Sequence, residues 1–510
     1  MKNNIQSYEV FELAKKYSSE KKFNLALQYF TKCSKFKEFK TDIIFEKAKI
    51  FYELNELQKS SRYFFKYINI SSNQLLKSNS IIILSKIYKL KNKIDKAMAL
   101  LDSMDKKLVK SEWERERLDI SYYKFNDLFR VHEFSGKKTD LIKEFEVIQT
   151  ITPNNGKDLF YISRISNYLH NYEFTEKLIK ENIKLMNKAD AFYKNAILNE
   201  LEISTKTVVL KSKPRGLWIA ASSKCNISCI MCFSKDIKWE LTDKNIEDIY
   251  SYMPYLEHIV WWGGEPTISK KFYEMINYSL QYKHIKHTVV TNGQYMPEKF
   301  IDIVINNSIE VAFSIDSVDK KKYEEIRKGA SFDKLIENII KLYPLAKKKL
   351  LKINSVIADY NVKEINEILK FAKKWSFRTV SFRPMISKNI TNNMLQPTFK
   401  YLMNMNKMLK AKSKVEVNNS IQILLDKDCN KNCASKGFCH TPWCYLTIRF
   451  DGKIFPDNLC SYYMKETFDL TNTNYLKYWN SKYISNFRQY IIDNQSCSPM
   501  CPQANILEKI

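Results

Sequence analysis

The stretch KCNISCIMCF, Lys224 to Phe233, places three cysteines, Cys225, Cys229 and Cys232, within eight residues. A structural zinc site closes its tetrahedron with four protein ligands, and neither a histidine nor a fourth cysteine lies near enough in sequence to complete one. Three thiolates on an iron-sulfur cluster leave one iron without a protein ligand, open to a substrate or cofactor. The spacing therefore points to chemistry in preference to scaffolding.

Short β-rich runs alternate with helical segments around this stretch. GLWIAASS leads directly into the cysteines, and HIVWWGG, HTVVTNG, EVAFSID, KINSVIA and TVSFRPM follow, with helical TDKNIEDIYSYM, KKFYEMINYSLQY, DKLIENIIKLY and VKEINEILKFAKKW between them. Six strand-helix alternations at this spacing predict an α/β fold, a partial (β/α)6 TIM-like barrel over residues 214–390 with parallel strands and helical crossovers. Functional groups of such barrels gather at the carboxyl ends of the strands, which is where the cysteines fall.

With its companions, Cys225-x3-Cys229-x2-Cys232 resembles the signature of the radical S-adenosylmethionine (SAM) superfamily. GGEP, Gly263 to Pro266, ends the second run, TNG, Thr291 to Gly293, ends the third, and Ser314 with Asp316 ends the fourth. The resemblance implies that the three cysteines hold a 4Fe-4S cluster whose open iron chelates SAM. One electron then cleaves SAM to a 5'-deoxyadenosyl radical, and a closed barrel shields that radical from competing hydrogens. It also implies that Gly263 and Gly264 let the backbone approach the bound amino acid, that Glu265 receives its ammonium and that Pro266 stiffens the turn. Ser314 resembles a polar residue that touches SAM, and Arg327, in YEEIRKG, resembles the arginine that pairs with the SAM carboxylate. Locally, Arg327 also fits an exposed helix cation and Asp316 a helix cap. Asn354 and Asn361 resemble polar positions of the fifth strand and its turn; Asn361 reads equally as an N-cap and is left out of the site.

Seven further cysteines, Cys429, Cys433, Cys439, Cys444, Cys460, Cys497 and Cys501, lie in residues 391–510. CHTPWCYLTIRFDGKIFPDNLC resembles the start of a SPASM or Twitch extension, a small Cys-rich α+β module. Cys439-x12-Gly452 fits that pattern, but Asp457 stands where its second cysteine belongs and Cys460 lies three residues later. Thiolate suits iron-sulfur clusters better than carboxylate, which favours Cys460. The resemblance then groups Cys439, Cys460, Cys497 and Cys501 around an auxiliary iron-sulfur cluster. For Cys429, Cys433 and Cys444 a second cluster, zinc or free thiols all stay open.

Residues 1–205 carry a helical repeat. Ala14, Tyr17, Ala26, Phe30 and Cys33 recur one period later as Ala48, Phe51, Ser60, Phe64 and Tyr67, and again after a three-residue insertion as Ser85, Tyr88, Ala97, Leu101 and Met104. Small residues let paired helices approach while large ones fill the space between, and the period resembles the roughly 34 residues of tetratricopeptide (TPR) repeats. An all-α TPR-like solenoid is expected here, with Cys33 as a packing residue and KSKPRG, Lys211 to Gly216, as the link onward.

The formal net charge of +27 suggests phosphate binding, but the lysines are scattered along every segment, which argues against a dedicated nucleic-acid site. No run approaches the roughly 18 apolar residues of a membrane span, and the amino terminus lacks a signal peptide's apolar centre, so a cytoplasmic protein is expected. Radical SAM proteins with SPASM-type extensions often modify peptides, and a concave helical array suits an extended peptide. The reading is a radical SAM oxidoreductase of the peptide-maturase kind, using an external electron donor and recognising a peptide or protein through its TPR-like region. The alternatives are an enzyme acting on a sugar or other small molecule, with the repeats docking a partner protein, and a non-catalytic TPR adaptor with a relic barrel. No catalytic acid or base can be assigned.

Overall fold

In HIVWW the residues alternate between two environments: Ile259 and Trp261 are buried in the core shared with the flanking helices, while His258, Val260 and Trp262 turn to the opposite face. The computed structural model describes residues 2–91, 93–125, 138–232, 234, 236–358, 360–385, 416–419, 439–456, 468–469 and 475–494. Strands numbered in chain order are β1 (Gly216–Ala220), β2 (Ser228–Cys229), β3 (His258–Trp262), β4 (Lys286–Thr291), β5 (Glu310–Ser314), β6 (Arg327–Lys328), β7 (Leu351–Ile357), β8 (Thr379–Pro384), β9 (Glu416–Asn419), β10 (Tyr445–Ile448), β11 (Lys453–Phe455) and β12 (Phe468–Asp469). The six runs read from the sequence become β1, β3, β4, β5, β7 and β8, hydrogen-bonded in that order and all parallel. Helical segments cross between them, including Asp243–Tyr252, Lys270–Ser279, Glu298–Asn306, Phe332–Lys341 and Ile365–Lys374.

The faces of this sheet differ in chemistry. Leu217, Ile219, Val311, Phe313, Leu351, Ile353, Val380 and Phe382 enter one core with Ile249, Phe272, Ile276, Phe300, Leu335 and Ile368 of the helices. Each such side chain, fully buried, contributes about 1.5–3 kcal/mol. On the other face Lys352, Asn354 and Val356 of β7 are only half-buried. At its amino-terminal end that face holds a polar layer in which the Glu310 carboxylate takes Lys352 Nζ at 2.9 Å, Arg378 Nη2 at 3.1 Å and the Thr288 hydroxyl at 2.9 Å.

The sheet also curls. β1 and β8 are five strand spacings apart, about 24 Å in a flat sheet at ~4.8 Å per strand. Yet the Arg383 guanidinium lies 5.9 Å from the centre of the Trp218 ring. No pair of side chains spans so wide a gap with that contact, so the half-buried face encloses a lumen.

The two edges of the sheet are extended. β9 pairs with β8, and β10 lies parallel to β1 with Gly216 opposite Tyr445; β11 and β12 follow antiparallel. A Cβ on Gly216 would overlap the Tyr445 ring, so this junction requires glycine.

By compactness the chain forms two units, one of residues 1–129 with 143–152 and one of residues 130–142 with 153–510. The first contains the packed helical pairs Lys2–Ser19 with Phe23–Cys33, Lys40–Glu53 with Leu57–Ile70, and Gln74–Leu90 with Ile94–Asp102. Most repeat positions are interior: Ala14, Ala26, Phe30, Cys33, Ala48, Ser60, Phe64, Ser85, Ala97 and Leu101 are fully buried, whereas Tyr17 and Tyr88 are half-buried. Ser60 shows why a small polar residue serves there, since its hydroxyl donates to the Ala48 carbonyl at 2.9 Å across the helix pair. Helices Gly156–Tyr168 and Ala191–Ser204 cluster with the second unit, tied to it where Glu200 meets Arg164 at 3.0 Å and Arg215 at 2.7 Å. Among the described residues no helix is long and apolar enough to cross a membrane.

Candidate active site

The cysteine loop leaves the carboxyl end of β1 and is closed at its base. Ser222 bridges Glu240, Ser223 N donates to the Trp239 carbonyl at 2.9 Å, and the Ser223 hydroxyl donates to the Ile237 carbonyl at 2.7 Å. Inside the loop, β2 pairs antiparallel with β6, which sets Cys229 opposite Arg327, and Ile230 N donates to the Ile326 carbonyl. Cys225 and Cys232 are exposed and Cys229 is half-buried. Each sulfur has a polar neighbour: Asn292 Nδ2 at 3.6 Å from Cys225, Arg327 Nη1 at 3.7 Å from Cys229, and the Ser234 hydroxyl at 3.0 Å from Cys232. The packed surroundings push the Cys225 thiol up to about 11, although the residue as a whole is exposed. Metal loading at neutral pH must therefore displace a proton.

The same residues test what the loop can hold. Among the described residues no group of three His, Cys, Asp or Glu side chains is gathered around a single metal ion. Three thiols on one loop, each with an N–H or O–H neighbour that would stabilise bound sulfur, are the donor set that a 4Fe-4S cluster takes from a protein.

GGEP is a seam between loops. Gly264 N donates to Ser222 O at 2.9 Å and Glu265 N to Lys224 O at 2.8 Å, and a Cβ on Gly264 would overlap the Lys224 carbonyl. Gly263 has φ +117, a conformation closed to most side chains. The need for glycine at Gly264 thus arises already from the cysteine loop. Glu265 is buried, and its carboxylate ties this loop to TNG. Oε1 accepts from the Thr267 and Thr291 hydroxyls, both at 2.8 Å, and from Thr267 N at 3.3 Å; Oε2 accepts from Asn292 N at 2.7 Å. Burial raises the Glu265 pKa, and these donors oppose the rise. Pro266 opens the short 3-10 turn that ends at Ile268.

Asp316 and Arg327 meet at 2.7 Å, both almost fully buried. The second oxygen of Asp316 accepts from Val356 N at 2.7 Å, while Asp319 caps the helix Lys320–Ile326. Burial works against the Arg327 charge, but Asp316 and Cys229 outweigh it and strengthen its hold on the proton. Arg327 Nε is buried without a partner among the described residues. Asn361 makes no N-cap bond; its amide donates to Asp316 O at 2.9 Å and Val356 O at 2.8 Å, pinning the end of β7 to that of β5. Ser314 lies at the end of β5, opposite Asn354. The structure thus joins Cys229, Arg327 and Asp316 in one chain of contacts, and Cys225, Asn292 and Glu265 in another. Asn292 is the member whose side chain the sequence reading left unassigned, although TNG was the signal for it.

Of the carboxyl-terminal candidates, Cys439 is half-buried and Cys444 is buried against Arg215 Nη2 at 3.1 Å and Arg164 Nη1 at 3.6 Å. Cys429, Cys433, Asp457, Cys460, Cys497 and Cys501 lie outside the described residues.

Residues 219–372 match the model of the Radical SAM superfamily. The cysteine-type anaerobic sulfatase-maturating enzyme of Clostridium novyi (strain NT) is 26% identical over 309 residues, covering 52% of this chain and 79% of that enzyme. The mycofactocin maturase MftC of Mycobacterium tuberculosis (strain CDC 1551 / Oshkosh) is 27% identical over 168 residues, covering 31% of this chain and 42% of its own length. The crystal structure of Streptococcus suis SuiB superposes with a TM-score of 0.46 at 16% identity, over 67% of this chain and 86% of that one. Residues 219–372 are accordingly a radical SAM domain, an enzyme domain whose cofactors are a 4Fe-4S cluster and S-adenosylmethionine. The bound pair supplies a one-electron cleavage that yields a radical able to take an unactivated hydrogen.

Proposed function

We propose that this protein is a radical SAM oxidoreductase that modifies a peptide or protein. The observation that carries the reading is the loop of Cys225, Cys229 and Cys232, seated by backbone bonds on GGEP and by β2–β6 pairing on Arg327, in a domain whose curated relatives include two named as maturing enzymes. In this reading the three thiolates hold the cluster. Glu265 Oε2, which takes one donor within the protein, has acceptor capacity left for an ammonium. The Nε of Arg327, without a partner among the described residues, suits a carboxylate, and Ser314, at the end of β5, serves as a further polar contact to SAM. Gly263, Gly264 and Pro266 shape the loop, and Asp316 holds Arg327 in place. Cys439, Cys460, Cys497 and Cys501 hold an auxiliary cluster, and the TPR-like repeats of residues 1–205 present the peptide to a cytoplasmic enzyme fed by an external electron donor.

The test uses the full chain, reconstituted anaerobically and reduced, with SAM and cell extract from a host grown on deuterated amino acids, separated into peptide and small-molecule fractions. Deuterium should enter 5'-deoxyadenosine from the peptide fraction. Label arriving from the small-molecule fraction alone overturns the peptide reading, and absence of 5'-deoxyadenosine formation overturns the radical one.

A further inference from the structure

The lumen face of the sheet carries hydrogen-bond donors that the protein leaves unsatisfied. Trp218 of β1, Trp262 at the end of β3 and Arg383 near the end of β8 are all half-buried and form one wall. The two indoles pack edge to face at 6.3 Å, Trp262 continues onto Phe450 at 5.9 Å, and the Arg383 guanidinium sits over Trp218 at 5.9 Å. Trp262 Nε1–H is buried and has no acceptor among the described residues.

Arg383 differs from its peers. Every other described arginine of the second unit meets an acceptor: Arg164 and Arg215 meet Glu200, Arg327 Asp316, Arg378 Glu310, Arg449 Asp451, and Arg488 the carbonyls of Pro442 and Val208. Arg383 meets an indole face and, among the described residues, no carboxylate or carbonyl. At 5.9 Å the Trp218 face attracts the guanidinium charge without using its N–H groups, and a guanidinium whose N–H groups meet no acceptor among the described residues can receive a carboxylate through two parallel bonds. A buried N–H without an acceptor is destabilising, so the Trp262 indole favours an acceptor-bearing group. A carboxylate meets the guanidinium as an anion and offers the indole an acceptor oxygen.

Resting on the radical SAM reading above, we infer that Trp218, Trp262 and Arg383 form a subsite in the barrel lumen that holds a carboxylate of the substrate, such as an acidic side chain of a peptide, and so sets which residue faces the reacting centre. The same chemistry could be met by the carboxylate of SAM, so the experiment separates the two sources.

The reconstituted full chain, loaded with SAM, is titrated calorimetrically with the capped tripeptides Ac-Ala-Glu-Ala-NH2 and Ac-Ala-Gln-Ala-NH2, and the affinity for SAM is measured in parallel. The parent should bind the Glu peptide about tenfold more tightly than the Gln peptide, the strength expected of a charge-assisted bond over a neutral one. Arg383→Gln should abolish that preference while moving SAM affinity less than twofold, and Arg383→Lys, which keeps the charge but loses the fork, should retain part of it. Iron content and near-UV circular dichroism check that the variants fold. Equal affinity of the parent for both peptides overturns the subsite, as does an Arg383→Gln variant that loses SAM affinity tenfold and keeps the Glu preference. If the Glu preference stands but the parent cleaves no SAM, the radical reading fails and the subsite survives it.

Discussion

Asp316 and Arg327 form an ion pair of 2.7 Å in which neither side chain reaches a tenth of its free exposure. The pair sits directly behind a candidate cluster ligand, because β6 begins at Arg327 and pairs with Cys229. Asp316→Asn keeps the shape and the bond from Val356 N but leaves a buried guanidinium without its counter-charge. Breaking a buried pair from one side costs about 3–5 kcal/mol. The variant should show a lower urea midpoint and less iron per chain after reconstitution. A midpoint equal to the parent's would mean that the pair does not hold the loop.

Two glycines separate backbone strain from steric exclusion. Gly329 has φ +89 but room for a Cβ, its nearest prospective neighbour being Ile227 Cα at an ordinary contact distance of 3.8 Å. Gly329→Ala should cost only the conformational penalty, about 1–2 kcal/mol, and load iron normally. Gly264→Ala drives a methyl into the Lys224 carbonyl, one residue before Cys225, and should prevent iron loading. Equal iron contents in the two variants would remove the seam between GGEP and the cysteine loop from the account.

How much of this was legible in the sequence depends on how local the signal is. Strand and helix periods, the cysteine spacing and the repeat positions are local, and Ala14, Ala26, Ala48 and Ala97 stand in the interior that their spacing implied. The addition of β10 to β1 was not legible, since YLTI is a short, wholly buried run whose partner strand lies far earlier in the chain, beyond the whole barrel. Gly216 bears the trace of that junction, but a glycine after KSKPR reads as a linker. Arg327 lies in YEEIRKG, whose helical pattern hides the two-residue strand that faces Cys229. The Arg164–Glu200–Arg215 cluster joins residues far apart in sequence, and no local window shows it. That cluster, more than any repeat signal, associates helices 156–204 with the sheet.

Cys444 belongs to the same buried set. Arg215 and Arg164 point N–H groups at its sulfur, Asn199 lies at 3.5 Å, and burial pushes the thiol pKa up. A thiol so enclosed should resist alkylation in the folded chain. Cys444→Ser should leave iron per chain unchanged, whereas Cys444→Ala strips the arginines of an acceptor and should cost about 1–3 kcal/mol in a denaturation curve. Loss of iron from Cys444→Ser would return this residue to the cluster ligands.

His287 gives the sheet a pH dependence of known sign. Its ring is stacked against Trp261, and Nδ1 accepts from the indole N–H at 3.3 Å, so the neutral form is the one that fits. Burial lowers its pKa from the ordinary 6.5 to about 4. Between those values the unfolded chain binds a proton that the folded chain refuses, so stability reaches its full value only well above pH 6.5 and declines as the pH falls through 6.5 toward 4. The loss from this residue should be about 1.4 kcal/mol at pH 5.5 and about 3 kcal/mol at pH 4. Carboxylates also titrate at the acid end, so the measurement is a difference: His287→Gln keeps an acceptor for Trp261 and has no proton to gain. Urea unfolding followed by tryptophan fluorescence reports on the second unit, which holds every tryptophan but Trp113. Between neutral pH and pH 5.5 the parent should lose more than His287→Gln by about 1.2 kcal/mol, slightly under the full loss because a little of it is already present at neutrality. Identical slopes for the two chains would show that His287 titrates normally in the folded protein.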